Sequence, residues 1–302
     1  MPMDTEVAII EMGANHQREI AALCEIALPT HGLITNIGKA HLEGFGGIEG
    51  VKKGKGELYD FLAKHRGLAF VNLDEQFLLD LSSEVPFRVK YLKSEKLNPD
   101  IEDLETELLQ SKPFVKAAFL SEFEERVIVD SHLIGEYNFQ NMMSAIIIGR
   151  YFKVPAEKVK KAIESYVPKD NRSQFVKQGE HTYLLDAYNA NPSSMSNAVA
   201  YFGQMEADVK IAILGDMLEL GEYSKSEHEQ ILKQALSYSF DAILLVGQVF
   251  SELDSQNHSH VHQFVDAEAV KKWLSMQNLG PTSFLVKGSR GIRLESILEE
   301  AV

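Results

Sequence analysis

Three segments near the start of the chain combine residue types that could handle a charged ligand. Glu11-Met12-Gly13-Ala14-Asn15-His16 follows the apolar run Val7–Ile10, so Glu11 falls at the carboxyl end of an expected strand. A carboxylate there is costly unless it is solvated, paired or bound to a cation; the alternative is a helix-capping loop. The run from Thr35 to Gly47 also follows an expected strand and has four glycines in the ten residues from Gly38 to Gly47. Such glycine density points to a loop folded closely around a ligand. His41 within it is either structural or, beside a loop carboxylate, a metal ligand, since Mg²⁺ prefers oxygen donors but keeps a partly aqueous shell. Gly50-Val51-Lys52-Lys53-Gly54-Lys55-Gly56-Glu57-Leu58 is charged at four of nine positions and is either an exposed basic helix end or part of a local basic pocket. Neither Gly38-Lys39-Ala40 nor Gly54-Lys55-Gly56 is a phosphate loop. That motif needs Gly-Lys followed by Ser or Thr, whose hydroxyl holds Mg²⁺, and no such tripeptide occurs in the sequence.

The elements that must position these groups follow from hydrophobic periodicity. Val7–Ile10, Gly32–Thr35 and Leu68–Asn72 are expected strands; Glu19–Leu28, Val51–Ala63 and Asp74–Leu81 are expected helices. Val51, Leu58, Phe61 and Leu62 form the apolar face of the second of these helices. Between Phe87 and Asp130 the pattern changes to antiparallel strands, with Phe114–Leu120 and Arg126–Asp130 the clearest, before an apolar helix over Asn138–Tyr151. A second unit begins near Val167-Pro168-Lys169-Asp170. Its strands are expected at Tyr183–Leu185, Ile211–Leu214, Ala242–Val246 and Phe284–Val286, and its helices at Ser194–Phe202, Ser226–Tyr238, Ala267–Leu274 and Leu294–Glu300. Regular strand–helix alternation predicts a parallel, doubly wound sheet, in which ligands bind at the carboxyl ends of strands. The first expected strand begins almost at residue 1, which implies that something precedes it in the complete protein.

Composition bounds the class. A chain of 302 residues, 45% apolar and 25% charged, suits about two soluble domains. No apolar run approaches the ~20 residues of a membrane span, and the start lacks the basic region of a signal peptide. A net charge of −14 argues against nucleic-acid or anionic-membrane partners, though not against an anionic small substrate. Cys24, the only cysteine, precludes an internal disulfide, fits a reducing compartment, and lies in an apolar helical pattern that makes it a core residue.

Further blocks continue in order: Val71-Asn72-Leu73-Asp74-Glu75, then Gly135-Glu136-Tyr137-Asn138-Phe139-Gln140-Asn141 at the start of the apolar helix, then Asn171-Arg172-Ser173-Gln174. After these come Asp186-Ala187-Tyr188-Asn189-Ala190-Asn191-Pro192, Leu214-Gly215-Asp216-Met217-Leu218-Glu219-Leu220-Gly221 with Glu227-His228, and Lys287-Gly288-Ser289-Arg290-Gly291. Together with the first three segments, this series resembles the Mur ligases, cytoplasmic enzymes that build the peptidoglycan stem peptide. The Asp-Ala-Tyr-Asn-Ala-Asn-Pro and Lys-Gly-Ser-Arg blocks resemble the branch that adds D-alanyl-D-alanine.

The resemblance implies an α/β fold in two parts. Residues 1–168 correspond to the central ATP-binding domain, a mainly parallel sheet with helices and an antiparallel portion, incomplete because its first strand, phosphate loop and following helix are missing. Residues 169–302 correspond to a Rossmann-like C-terminal domain. The family's N-terminal domain, which holds the UDP part of the substrate, is also absent. By the same resemblance Glu11, His41 and Lys55 are ligands of one of two Mg²⁺ ions, Lys55 after carbamylation by CO₂. A free lysine is a cation that repels Mg²⁺, and the carbamate is an anion that binds it. Asn138, Asn141, Asp186 and Tyr188 border the nucleotide. Arg172 reaches ATP phosphate, a role suited to its planar fork. Asn189, Asn191, Lys287 and Arg290 lie where the carboxylate of the incoming dipeptide needs donors. Lys55, Arg172 and His41 are the residues implied in catalysis.

The implied reaction joins UDP-N-acetylmuramoyl-tripeptide to D-alanyl-D-alanine at the expense of ATP, through an acyl phosphate, in a cytoplasmic monomer that engages neither membrane nor nucleic acid. The chain by itself is expected to be an inactive fragment of that enzyme. Two alternatives are a related amide ligase, folylpolyglutamate-synthetase-like or cyanophycin-synthetase-like, against which the Asn-Ala-Asn-Pro and Lys-Gly-Ser-Arg blocks count, and a non-catalytic remnant that only binds a ligand or partner.

Overall fold

The computed structural model of the chain describes residues 4–100, 103–255 and 258–298. Contacts divide it into two compact units, residues 1–93 with 98–105, and residues 94–97 with 106–302.

The first unit is a small parallel sheet with helices. Its elements are α1 (Glu19–Ala27), β1 (His31–Leu33), α2 (Leu42–Phe45), α3 (Ile48–His65), β2 (Leu68–Asn72), α4 (Gln76–Leu81) and β3 (Phe87–Ser94). β1 pairs in parallel with β2, and β2 with β3. Helix α3 runs three residues earlier and two later than its periodicity predicts, and buries Val51, Tyr59, Phe61 and Leu62. Ile34, Tyr59, Leu62, Val71 and Leu78 form one cluster; Ile20, Cys24 and Phe61 form another. Burial of Cys24 pushes its thiol pKa up, which suits a packed core thiol.

One expected element is absent. Val7–Ile10 has no strand geometry and lies exposed, Ile9 at 91%. The reason is a missing neighbour. Among the described residues β1 pairs only with β2, so nothing offers Val7–Ile10 a ladder, and an apolar run cannot satisfy its backbone as a strand alone. Glu11 therefore does not sit at a strand's end.

In the second unit β4 (Leu104–Gln110), β5 (Lys116–Leu120) and β6 (Arg126–Asp130) form an antiparallel meander. The helices α5 (Glu136–Tyr151) and α6 (Ala156–Glu164) follow. The second sheet is built from β7 (Gln174–Gln178), β8 (His181–Asp186), β9 (Lys210–Gly215), β10 (Ala242–Val246), β11 (Val261–Phe264) and β12 (Ser283–Lys287), with α7 (Pro192–Gly203), α8 (Ser224–Leu236), α9 (Gln248–Ser251) and α10 (Ala267–Ser275) between strands. Its order is β11-β10-β9-β12-β8-β7, all parallel except the β7–β8 hairpin. The chain thus steps outward from β8 to β11 and returns to insert β12 between β8 and β9. That return brings the loops after Asp186, Gly215 and Lys287 to one end of the sheet. Helix starts follow local chemistry. Asn191 caps α7 by accepting from Ser194 N in a reciprocal capping box, with Pro192 in the first turn, and Asp266 caps α10. The expected helix at Leu294–Glu300 is a 3₁₀ turn over Leu294–Ile297; Glu299 and Glu300 lie outside the described residues.

The block running from Gly215 to His228 is structural. The buried Asp216 carboxylate accepts from Val249 N and Phe250 N, both at 2.9 Å. His228, fully buried, accepts at Nε2 from Met217 N at 3.0 Å, and its Nδ1 lies 2.7 Å from Ser224 O. A carbonyl can only accept and an amide N–H only donate, so the ring is neutral with its hydrogen on Nδ1. Burial lowers its pKa, partly opposed by the Ser224 carbonyl and the Asp216 charge. In the unfolded chain this imidazole takes a proton near pH 6.5, and in the folded one only at lower pH. Stability from this group is therefore complete above about pH 6.5 and is lost as pH falls below it. An NMR titration should find the His228 ring still neutral below the pH of about 6.5 at which a histidine in an unfolded peptide takes its proton; protonation of His228 at or above that pH would contradict the assignment.

Candidate functional site

In the first unit the three N-terminal segments converge. A Cβ placed on Gly44 would meet Asn15 O at 2.3 Å, and one on Gly50 would meet Phe45 O at 1.8 Å. Both glycines are there to let backbone approach backbone, so at these two positions the close neighbour is the chain itself rather than a ligand. Glu19 holds the Asn15-His16 turn, accepting from their amides at 2.7 and 3.0 Å. Those bonds keep its carboxyl pKa below the usual range. Glu57 accepts from Arg18 N at 2.5 Å and Ala21 N at 2.9 Å, capping α1 from α3. Two residues earlier, Lys55 lies on the core-facing side of α3 and donates to Asn36 O at 2.8 Å. Burial lowers its pKa. Lys52, by contrast, pairs with Glu49 at 2.7 Å. Glu11 is exposed, and His41 is half-buried in a left-handed conformation at the start of α2. Among the described residues no group of three or more His, Cys, Asp and Glu is placed to hold a metal. A cation site here needs a further anionic donor, the part that a carbamate on Lys55 could take.

The second unit gathers the remaining residues around Asp186, the last residue of β8. Its Oδ2 lies 2.6 Å from Lys287 Nζ on the neighbouring β12. Its Oδ1 accepts from Ser173 N at 2.9 Å and more distantly from Ser173 Oγ at 3.4 Å. The Lys287 ammonium also reaches Asn189 O at 3.2 Å and Asp186 O at 3.5 Å, and is 1% exposed. Its three hydrogens are thus directed inward. Beside the expected donation to a dipeptide, this geometry gives Lys287 a second role, holding the Asp186–Asn189 turn. Asn191 is likewise engaged at Oδ1 as the α7 cap, and Asn189 Oδ1 accepts from Ala190 N at 2.8 Å.

Around Arg172 the backbone is unusual: Asp170, Asn171 and Ser173 all have left-handed φ, at 57°, 56° and 49°. Such conformations cost energy in non-glycine residues and persist because the loop is tied at several points. Asn171 N donates to Gln174 Oε1 at 2.8 Å, Tyr188 N to Asn171 O at 3.1 Å, and Gln174 Nε2 to Pro168 O at 3.1 Å. From this loop the exposed Arg172 guanidinium lies over the Tyr188 ring, 3.9 Å from its centroid. Arg290, exposed in the turn after β12, lies 5.5 Å from the same centroid. Tyr137 joins the first turn of α5 to the loop through a 2.8 Å hydrogen bond with Ser173 Oγ. Burial and then the Asp186 charge raise its phenol pKa. On the same turn Asn138 donates to Ile134 O, and the exposed Asn141 donates to Asn138 Oδ1 at 3.2 Å. Arg172, Asp186, Tyr188, Asn189 and Arg290 are thereby linked through one network, which Tyr137 and Ser173 join to the first turn of α5 beside Asn138, and in which Ser289 ties the Arg290 turn through Oγ to Ala190 O and Leu218 N; Tyr137, Ser173 and Ser289 act unforeseen. Their signal was position alone, beside Asn138, Arg172 and Arg290 within the quoted blocks.

Comparison with known proteins matches the Mur ligase middle domain to residues 1–149 and the Mur ligase, glutamate ligase domain to residues 171–290. The UDP-N-acetylmuramoyl-tripeptide--D-alanyl-D-alanine ligase of Escherichia coli (strain K12) is 30% identical over 298 residues, covering 97% of this chain and 64% of that protein. A crystal structure of MurF from Acinetobacter baumannii superposes with a TM-score of 0.79 at 28% identity, over 95% of this chain and 62% of that one. The MurF ligase of Thermotoga maritima, solved in complex with ADP, shares the fold at a TM-score of 0.79 and 22% identity, over 95% of this chain and 65% of that one. The chain spans just under two thirds of the length of these relatives.

If Lys287 is structural, removing it strands a carboxylate with little solvent around it. Lys287→Met should destabilise the chain by about 3 kcal/mol or more, the typical cost of breaking a buried ion pair. Adding Asp186→Asn should recover part of the loss in a urea-unfolding cycle. Wild-type stability in Lys287→Met would mean that its amine is held elsewhere and free for a ligand.

Proposed function

The chain belongs to the Mur ligase family, and on that premise we propose that it is the central and C-terminal part of a UDP-N-acetylmuramoyl-tripeptide--D-alanyl-D-alanine ligase of the MurF type, with residues 1–168 forming one domain and 169–302 the other. The observation that carries this reading is the pair of guanidiniums at Tyr188, which form no ion pair among the described residues and project from two tied segments, the loop before β7 and the turn after β12. Anchored, unneutralised arginines at the carboxyl ends of parallel strands suit a phosphate-bearing ligand.

In the reaction the tripeptide's terminal carboxylate attacks the γ-phosphorus of ATP, the bond to the β,γ-bridging oxygen breaks, ADP leaves, and the carboxylate becomes an acyl phosphate. The D-alanyl-D-alanine amine then attacks the acyl carbon, and phosphate leaves. Arg172 offsets charge that builds on the transferring phosphoryl group. Asn138, Asn141 and Tyr188 border the nucleotide, with Asp186 behind them holding the loop. Arg290, with Asn189 and Asn191, faces the dipeptide carboxylate. Mg²⁺, when bound, supplies charge neutralisation at the phosphates. Glu11, His41 and a carbamylated Lys55 would hold it in the first unit. The lowered pKa of Lys55 fits carbamylation, because only the neutral amine attacks CO₂. None of the helices among the described residues is long and apolar enough to cross a membrane; the enzyme is read as a cytoplasmic monomer.

Three outcomes follow. The 302-residue chain, lacking a Gly-Lys-Ser/Thr loop to cradle the β- and γ-phosphates, should release phosphate only at background with ATP and both substrates; clear turnover would sink the fragment reading. In the complete enzyme Lys55→Ala should abolish most activity, with partial rescue by a short carboxylic acid, and undiminished activity would end the carbamate assignment. Arg172→Ala in the complete enzyme should lower kcat roughly 10²-fold while moving Tm little, since an exposed arginine costs about 0.5 kcal/mol or less to truncate. A lowered Tm with normal kcat would make Arg172 a structural residue.

A further inference from the structure

We propose that Tyr188 is a positioning residue that makes Arg172 and Arg290 a single clamp for one polyphosphate chain, rather than two donors serving two ligands. This revises the reading above for Arg290 alone, moving it from the dipeptide carboxylate to the nucleotide's phosphates, and rests on that reading only for the identity of the physiological anion. Both guanidiniums lie within cation–π range of one ring, at 3.9 and 5.5 Å. Each repels the other, and at a solvent-exposed ring the cation–π attraction offsets only part of that repulsion. The nearby carboxylate of Asp186 is already engaged by Lys287 and Ser173. An anion large enough to meet both groups would relieve their mutual repulsion.

The ring and the two arginines also share their anchors. Tyr188 N donates to Asn171 O, next to Arg172. Ser289, next to Arg290, bonds through Oγ to Ala190 O at 3.3 Å and through its amide to Asp216 O at 3.1 Å. Arg172 therefore projects from fixed backbone just before β7, tied to the segment after β8, and Arg290 from fixed backbone after β12, the parallel neighbour of β8. Fixing them before the ligand arrives reduces the ordering cost of binding. The phenolic oxygen of Tyr188 takes no part in this argument; the ring face does.

The test follows the arginine Nε–H signals of the whole 302-residue chain by NMR, with inorganic tripolyphosphate as the probe and D-alanyl-D-alanine as a second arm. The Arg172 and Arg290 signals should shift together with tripolyphosphate at one half-saturation point, and that affinity should fall as salt rises. Tyr188→Phe should bind within about two-fold of the parent, whereas Tyr188→Leu, at unchanged Tm, should weaken binding at least ten-fold. Arg290→Gln should weaken the response of Arg172 itself. A shift of Arg172 alone, or parental affinity in Tyr188→Leu, overturns the clamp while leaving Arg172 as a nucleotide contact. An Arg290 that answers to D-alanyl-D-alanine and not to tripolyphosphate also overturns it and returns Arg290 to the dipeptide. Silence of both arginines with tripolyphosphate overturns the clamp together with the phosphate role of Arg172.

Discussion

A carboxylate with little access to water must be matched by donors, and Asp186 meets that demand in a way that organises the whole end of the second sheet. One oxygen is held by the Lys287 ammonium at 2.6 Å and the other by the Ser173 amide at 2.9 Å. The first contact locks β8 to β12; the second fixes the loop that carries Arg172. Truncating either partner would leave a charge without a counterpart in a poorly solvated place, where the penalty is several-fold larger than for a surface pair. The exposed arginines can stay poised because the buried pair beneath them does not move.

The legible parts of the fold were those where one physical signal dominated. Leu68–Asn72, Arg126–Asp130 and Ala242–Val246 are strands with the ends their apolar runs predict. Helix α6 escaped notice because Lys and Glu fill five of its nine positions, and only Ala156 and Val159 are buried. The hairpin strand β7 alternates too weakly to stand out, its burial running from half-buried to exposed. Val7–Ile10 failed for the opposite reason. Its composition is that of a buried strand, but strand formation is a property of a pair, and composition says nothing about whether a partner is present.

The candidate site divides in the same way. Residue types announced Arg172, Tyr188 and Arg290 as chemically competent, and the structure brings these three together. Lys287 looked equally competent, since a lysine beside a glycine after a strand has the same appearance whether its amine faces outward or inward. The register of β8 with β12 sets Lys287 opposite Asp186, and register between strands a hundred residues apart is not written in local sequence. The glycines of the 44–50 region raise a similar ambiguity. At Gly44 and Gly50 the crowding atoms are carbonyl oxygens of the chain.

The left-handed run at Asp170, Asn171 and Ser173 changes what the Asn-Arg-Ser block means as a word. Asn and Asp tolerate that conformation better than most side chains, because a short polar group can bond locally. Three of the four letters from 170 to 173 therefore spell a backbone path, and only Arg172 spells a reagent. A chain with the arginine but with β-branched residues on either side would keep the letter and lose the sentence. One with glycine or asparagine at 170 and 171 could keep the meaning while differing in spelling, which is how distant relatives of this loop ought to be sought.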